Sequence, residues 1–253
     1  AGITEAGADG IRPAFVDLDD DGDRDMLVGL SSSVVWYERG GTPANPSWTR
    51  HAEDPVGYGG GSSGTSPVAG DWDGDGDDDV IIGEHWGNLR FFRNDGSSWT
   101  EETFDFPFDL LGDSAPALAD WNGDGTLDML VGQAHGSLRR YGNQGTPFSA
   151  DWGPEGDLLT LPWTNHPHPY PAFADIDGDG DVDLFVGQGD WDGPEAGGNV
   201  RYYRNDGTPA APNWNLVTAS FLGLDVGGWS TPAFADIDGD GDLDLFIGDS
   251  EGT

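Results

Sequence analysis

The sequence predicts an all-β chain, a propeller of four-stranded antiparallel blades. Three observations carry that expectation. A short segment ending in aspartate recurs five times. The chain between its copies divides into apolar runs bounded by Gly, Pro, Asn and Asp. No stretch keeps an i, i+3, i+4, i+7 apolar pattern over three helical turns.

The recurring segment reads as the first strand of each repeat: Arg12-Pro-Ala-Phe-Val-Asp17, Ser66-Pro-Val-Ala-Gly-Asp71, Ala115-Pro-Ala-Leu-Ala-Asp120, Tyr170-Pro-Ala-Phe-Ala-Asp175 and Thr231-Pro-Ala-Phe-Ala-Asp236. The leading aspartates lie 54, 49, 55 and 61 residues apart. An acidic loop follows, then an apolar second strand ending in glycine: 26–29, 80–83, 129–132, 184–187 and 245–248. Third strands are expected over 34–39, 89–94, 138–143 and 200–205, and Trp48, Trp99, Trp152 and Trp214 mark the fourth. Gly-Thr-Pro turns begin at Gly41, Gly145 and Gly207 between them.

A four-stranded unit of this size cannot bury both faces alone, and radial stacking of such units solves that problem. The chain is read as one domain over 1–253, with repeats at about 12–65, 66–114, 115–169, 170–230 and 231–253. The fifth repeat stops before its third and fourth strands, and residues 1–11 offer at most one strand more. The expectation is therefore a ring of roughly seven blades, five of them here, completed by a longer protein or by further subunits of the same assembly.

Composition narrows the function. Hydrophobic residues are only 36% and glycines number 42, but 12 Phe, 11 Trp and 6 Tyr at regular spacing mark a folded chain. The 38 Asp far outnumber 9 Glu, every one of the ten basic residues is Arg, and the formal charge is −37. Nucleic acid is excluded as a partner, because no basic patch exists to neutralise phosphates. No apolar run approaches the roughly 20 residues of a helical membrane span, so membrane insertion is not expected. With no cysteine there is neither disulfide nor thiol chemistry. The Ala-Gly-Ile-Thr start reads as a mature or excised segment, and the one near-acceptor for N-glycosylation, Asn45-Pro46-Ser47, is blocked by its proline.

The acidity has a specific cause. Between first and second strands every repeat carries D-x-[DN]-x-D-G-x-x-D. Counting each leading aspartate as position one, the candidate ligands are at positions one, three, five, seven and nine. They are Asp17, Asp19, Asp21, Asp23 and Asp25; Asp71, Asp73, Asp75, Asp77 and Asp79; Asp120, Asn122, Asp124, Thr126 and Asp128; Asp175, Asp177, Asp179, Asp181 and Asp183; and Asp236, Asp238, Asp240, Asp242 and Asp244. Side chains at one, three and five point inward, the glycine at six allows the bend, seven gives its carbonyl and nine closes the cage. Oxygen-only ligands in such a loop suit Ca²⁺ before Mg²⁺, about one ion per loop and five in all. An EF-hand would need a bidentate Glu at position twelve and flanking helices. Position twelve here is Val28, Ile82, Val131, Val186 or Ile247, within a strand, so that reading is rejected. The carboxylates would repel one another without a cation, which couples calcium to folding. The loops hold 25 of the 38 Asp, leaving an ordinary acidic surface elsewhere.

The run Pro232-Ala-Phe-Ala-Asp-Ile-Asp-Gly-Asp-Gly-Asp-Leu-Asp-Leu-Phe-Ile-Gly248, and the Arg201-Tyr-Tyr-Arg-Asn205 strand with its Gly-Thr-Pro turn and Trp214, resemble the FG-GAP/VCBS repeats. These are related to the calcium-bearing blades of the integrin α-subunit propeller, and the resemblance covers nearly the whole chain. It implies Ca²⁺ in the first hairpin of each blade and a secreted or cell-surface location. The family includes adhesion modules, lectins and the propellers of some polysaccharide lyases.

Hairpins of a propeller alternate ends, so the acidic loops should share one face. Residues that do not recur fall on the other: Trp86 and His135 in second-to-third-strand turns, Trp163, His166, His168 and Tyr170 before the fourth repeat, Trp191 in a Gly-rich insertion and Trp229 before the fifth. They are candidate ligand contacts, with packing against neighbouring blades as the rival reading. The function expected is a non-catalytic, calcium-stabilised adhesion, recognition or structural module outside the cell that binds protein or glycan. The alternative is the propeller of a polysaccharide-active enzyme such as a lyase, with His166, His168 or His135 and Tyr170 in acid–base roles. Recurrent aromatics such as Trp36, Phe91 and Tyr202, and Trp72 and Trp121 at loop position two, are read as blade core.

Overall fold

A computed structural model describes residues 3–5, 10–43, 45–61, 63–104, 110–146, 149–161, 168–189, 197–208 and 211–252. Four sheets have four strands each: β1 (Arg12–Val16), β2 (Asp25–Gly29), β3 (Val34–Thr42) and β4 (Asn45–His51); β5 (Ser66–Gly70), β6 (Asp79–Gly83), β7 (Leu89–Asn94) and β8 (Trp99–Glu102); β9 (Ala115–Ala119), β10 (Asp128–Gly132), β11 (Ser137–Asn143) and β12 (Trp152–Thr160); β13 (His168–Ala174), β14 (Asp183–Gly189), β15 (Val200–Asn205) and β16 (Trp214–Thr218). A fifth sheet has two, β17 (Thr231–Ala235) and β18 (Asp244–Gly248). Pairing is antiparallel and sequential throughout, with short 3-10 turns at 134–136 and 221–223. Each second strand starts one residue before its apolar tetrad, at the position-nine aspartate, which pairs with the last residue of the first strand.

The core is five apolar clusters, one between each pair of neighbouring blades. Alternation along a strand assigns side chains to the two interfaces. Val80 and Ile82 pack toward the first blade, while Ile81 packs toward the third. Phe91, Tyr202, Trp72, Trp121 and Trp152 are buried as expected of blade core, while Trp36 is half-buried at the edge of the cluster between the first two blades.

The inner strands close a ring of five, which corrects the expectation of roughly seven blades. β17 packs on β1 as β1 packs on β5, and Ile11, Phe15 and Met26 share a cluster with Ala233, Ala235 and Ile237. The terminal glycine of each second strand shows the same thing. A Cβ on Gly29 would stand 2.3 Å from the Thr65 carbonyl oxygen of the next blade, and one on Gly248 would stand 2.2 Å from that of Ile11. The fifth blade therefore meets the first through the contact each blade makes with its successor. Hydrogen bonds knit this seam, among them those from Ile11 N–H to the Asp249 carbonyl at 3.1 Å and from Thr231 Oγ1 to the Ile11 carbonyl at 2.8 Å. The number of blades was hidden from the sequence because closure depends on the wedge angle between blades.

Candidate functional site

In four of the five loops, carboxylate oxygens from three aspartates lie within 4.8 Å of one another: Asp17, Asp19 and Asp21; Asp71, Asp73 and Asp79; Asp175, Asp177 and Asp179; Asp236, Asp238 and Asp244. Backbone amides preform each cage. The position-one carboxylate accepts from N–H groups at positions four to six, as Asp71 does from Gly74 at 2.6 Å and Gly76 at 3.1 Å. Asp236 does the same for Gly239 and Gly241. Each of these carboxylates keeps at least one lone pair free for a cation, and the donor set is hard oxygen throughout, so these loops fit Ca²⁺. Burial and then neighbouring carboxylates push Asp19 and Asp73 above the usual carboxylate range, for Asp73 despite Arg93 at 4.0 Å.

The third loop differs. Asn122 Nδ2 donates to Asp128 Oδ2 at 3.1 Å, and Thr126 Oγ1 donates to Asp124 Oδ1 at 2.6 Å, which lowers the Asp124 pKa. Its carboxylates are already engaged by neutral donors of the same loop.

Position nine does more than close a cage. Asp25, Asp79, Asp128 and Asp183 are buried. Asp79 Oδ2 accepts the Trp72 amide at 3.2 Å, and its Oδ1 accepts the Asn94 amide at the end of β7 at 2.8 Å. Asp25, Asp128 and Asp183 take the equivalent amides of Arg39, Asn143 and Asn205. One carboxylate thus ties the first hairpin to the third strand. Asp244 has no third strand beside it; it is exposed and accepts only the Ile237 amide among the described bonds. Burial raises Asp25 to about 6, Asp128 to about 7 and Asp79 to about 8, against the partial relief of those amides.

This carries a prediction for the metal-free protein. The folded state keeps protons on these groups at pH values where the unfolded chain has released them, so the stability they confer is present below about pH 4 and is withdrawn as pH rises toward 8. Thermal melts in EGTA should show a lower melting temperature at pH 8 than at pH 5. A melting temperature that rises over this window would refute the burial of these carboxyls.

Where the last three complete repeats place Asn at the end of the third strand, the first has Arg39. The asparagines cap their turns, as Asn205 Oδ1 does for Gly207 and Asn213. Arg39 instead crosses the seam: its Nη2 donates to the Ile237 carbonyl at 2.6 Å, and its Nη1 pairs with Asp23.

The opposite face gathers some of the expected ligand residues. Trp86 is 73% exposed, with the His85 ring 4.7 Å from its own. His85 Nδ1 meets Asp113 Oδ1, and His168 Nδ1 lies 3.1 Å from Asp113 Oδ2, an ion-pair distance without good hydrogen-bond alignment. Burial opposes ionisation of Asp113, but the two imidazoles outweigh it and hold its pKa low. The His168 ring is 5.9 Å from that of Trp229. Tyr170 is buried and its hydroxyl accepts from Arg12, so it belongs to the inner wall, not to the exposed face. His135 is exposed, at φ 72° in a tight turn that packs against β13, the strand His168 begins. Trp163, His166 and Trp191 lie outside the described residues.

Asp113 and Arg12 were missed as site residues, yet the repeats carried a signal. Gly10, Gly64, Asp113, His168 and Trp229 occupy one column, two residues before the column of Arg12, Ser66, Ala115, Tyr170 and Thr231. These columns, at the end of the ring remote from the acidic loops, vary most among otherwise similar repeats.

Fold and loops together define a β-propeller that carries an aspartate cage at one end of each blade. The FG-GAP-like repeat family matches residues 17–82, 71–131, 120–186 and 175–247, and the chain belongs to that family. Among solved structures, the chain is similar to a lectin of Agrocybe aegerita described by its specific recognition of non-reducing terminal N-acetylglucosamine, at 19% identity and a TM-score of 0.50. The likeness covers 94% of this chain and 60% of the lectin chain, and it is a likeness of fold. No curated protein matches the chain.

Proposed function

We propose that this chain is a calcium-stabilised, non-catalytic recognition module that works outside the cell and binds glycan through the face remote from its acidic loops. The observation that carries the reading is the division of labour between the two ends of the ring. Carboxylate cages that recur in phase occupy one end, as scaffold parts do. The other end carries side chains that differ from blade to blade, with Trp86 presented to solvent beside His85 and Asp113. An exposed indole next to polar groups is the usual means of stacking on a sugar ring while bonding its hydroxyls. The similar lectin supports glycan over protein as the ligand class. Loops of this kind bind calcium at about 0.1–1 mM in extracellular modules, which supports a location where calcium is abundant.

Binding to a glycan array in calcium buffer tests the reading. Trp86→Ala should weaken binding about tenfold or more, in keeping with an aromatic hot spot. It should leave the melting temperature within about 1 °C, since a largely exposed side chain contributes little to folding. Binding that is indifferent to Trp86 would move the ligand surface elsewhere, and turnover of an acidic polysaccharide lost in His168→Ala would establish the enzyme reading instead.

A further inference from the structure

The axis of the ring encloses a cavity of about 490 Å³ walled by the inner strands, and two guanidinium groups line it. Arg24, at the acidic-loop end, is paired with Asp78 of the next blade. Arg12, at the other end, is only 5% exposed and has no carboxylate partner among the described residues. Its Nη2 reaches across the axis to the Tyr170 hydroxyl at 3.1 Å, its Nη1 lies 3.4 Å from the Thr65 carbonyl, and its Nε has no acceptor. The Tyr170 and Trp229 rings flank the guanidinium, at 5.3 Å and 5.6 Å from its central carbon. A guanidinium carries five N–H donors, and two are engaged here.

A buried cation left without its anion is costly, because burial removes hydration and nothing replaces it. In a chain of formal charge −37 with only ten arginines, the lack of a partner is the more pointed. The residues around Arg12 describe a mouth. Asp113, His168 and Trp229 follow one another around it, linked by the His168–Asp113 and His168–Trp229 contacts, and Gly10 and Gly64 complete the column. Asp113 is already engaged by His85 and His168, so it does not serve as the counter-charge.

We propose that this axial mouth binds a single carboxylate group, with Arg12 as its counter-charge and Trp229 as an aromatic wall for the rest of the ligand. The free guanidinium edge offers the fork geometry that carboxylates accept in bidentate fashion. A cavity of this size falls within the range of small-molecule pockets, and a monosaccharide acid is of the right dimensions. The site rests on the recognition reading only in lying on the same face. It lies at the axis beside Trp229, apart from the glycan contact assigned to Trp86.

Calcium-saturated protein should be titrated with glucuronate, glucose and acetate, read by tryptophan fluorescence and calorimetry. Glucuronate should bind saturably, and glucose, the same ring without the carboxylate, should bind at least tenfold more weakly. Acetate that competes with glucuronate supports the carboxylate site and identifies any small acid as a ligand; acetate that does not compete while glucuronate binds supports an acidic sugar as the source. Arg12→Gln should weaken glucuronate binding at least tenfold, while Trp86→Ala should leave it unchanged. If Arg12→Gln fails to fold, Arg12→Lys, which keeps the charge but loses the fork, should weaken binding, and Trp229→Phe should alter the fluorescence response. Absence of saturable glucuronate binding, equal binding of glucose, or unaltered binding in Arg12→Gln or Arg12→Lys would overturn the site. Glycan-array binding that depends on Trp86 would survive any of those results, so the two readings fail separately.

Discussion

Removal of calcium with EGTA should lower the melting temperature of this chain by about 10 °C or more, and magnesium should not restore it. The size follows from linkage. A site held at about tenfold its dissociation constant contributes about 1.4 kcal/mol, so four such sites give about 6 kcal/mol. In a chain of 253 residues each kcal/mol shifts the midpoint by about 2–4 °C. The four loops with three converging carboxylates are the ones counted. The third loop is left out, since Asn122 and Thr126 already hold its carboxylates. Magnesium demands near-octahedral geometry and gives up its waters reluctantly, which a loop of this flexibility does not reward. Calorimetry in calcium, in EGTA and in EGTA with excess magnesium decides the matter. Equal midpoints in the first two would end the calcium proposal.

The second large effect concerns position nine. Asp79→Ala should destabilise the metal-free protein by about 2–4 kcal/mol, because the buried amides of Trp72 and Asn94 both lose their acceptor. Asp244→Ala should cost under about 1 kcal/mol, since that residue is exposed and accepts one described bond. The comparison belongs at about pH 5.5 in EGTA, below the value of about 8 to which burial raises Asp79, so that relief of a buried charge does not mask the lost bonds. Denaturant titrations with equal costs for the two substitutions would show that the tie to the third strand is not what position nine supplies.

Much of this architecture was legible in the residues. The strands fall where the apolar runs and Gly-Thr-Pro turns placed them, because period-two burial and turn chemistry are local properties. The acidic loops were legible for the same reason: D-x-[DN]-x-D-G is a statement about neighbours in sequence. The dual role of Asp79 was not, since its second partner, Asn94, lies in another strand. The closure of five blades was not, because it depends on how Ile11 meets Gly248 across nearly the whole chain. Of the candidate ligand contacts on the remote face, Trp86 is exposed, while Tyr170 is buried in the inner wall. Arg12 is legible as the start of a strand and as the one cationic residue in its column, but its lack of a carboxylate among the described residues is not.

The seam gives the ring a weak place. A linear row of stacked sheets frays from its ends, where the outermost unit has one neighbour. Closure leaves no outermost unit here, so loss of structure must begin as a breach. The place for it is the fifth wedge, where the described residues form a sheet of two strands, Asp244 stands in solvent, and Arg39 bridges to Ile237. The contacts of Ile11, Thr231 and Arg39 across that seam therefore act as a latch, and their strength sets how readily the circle opens.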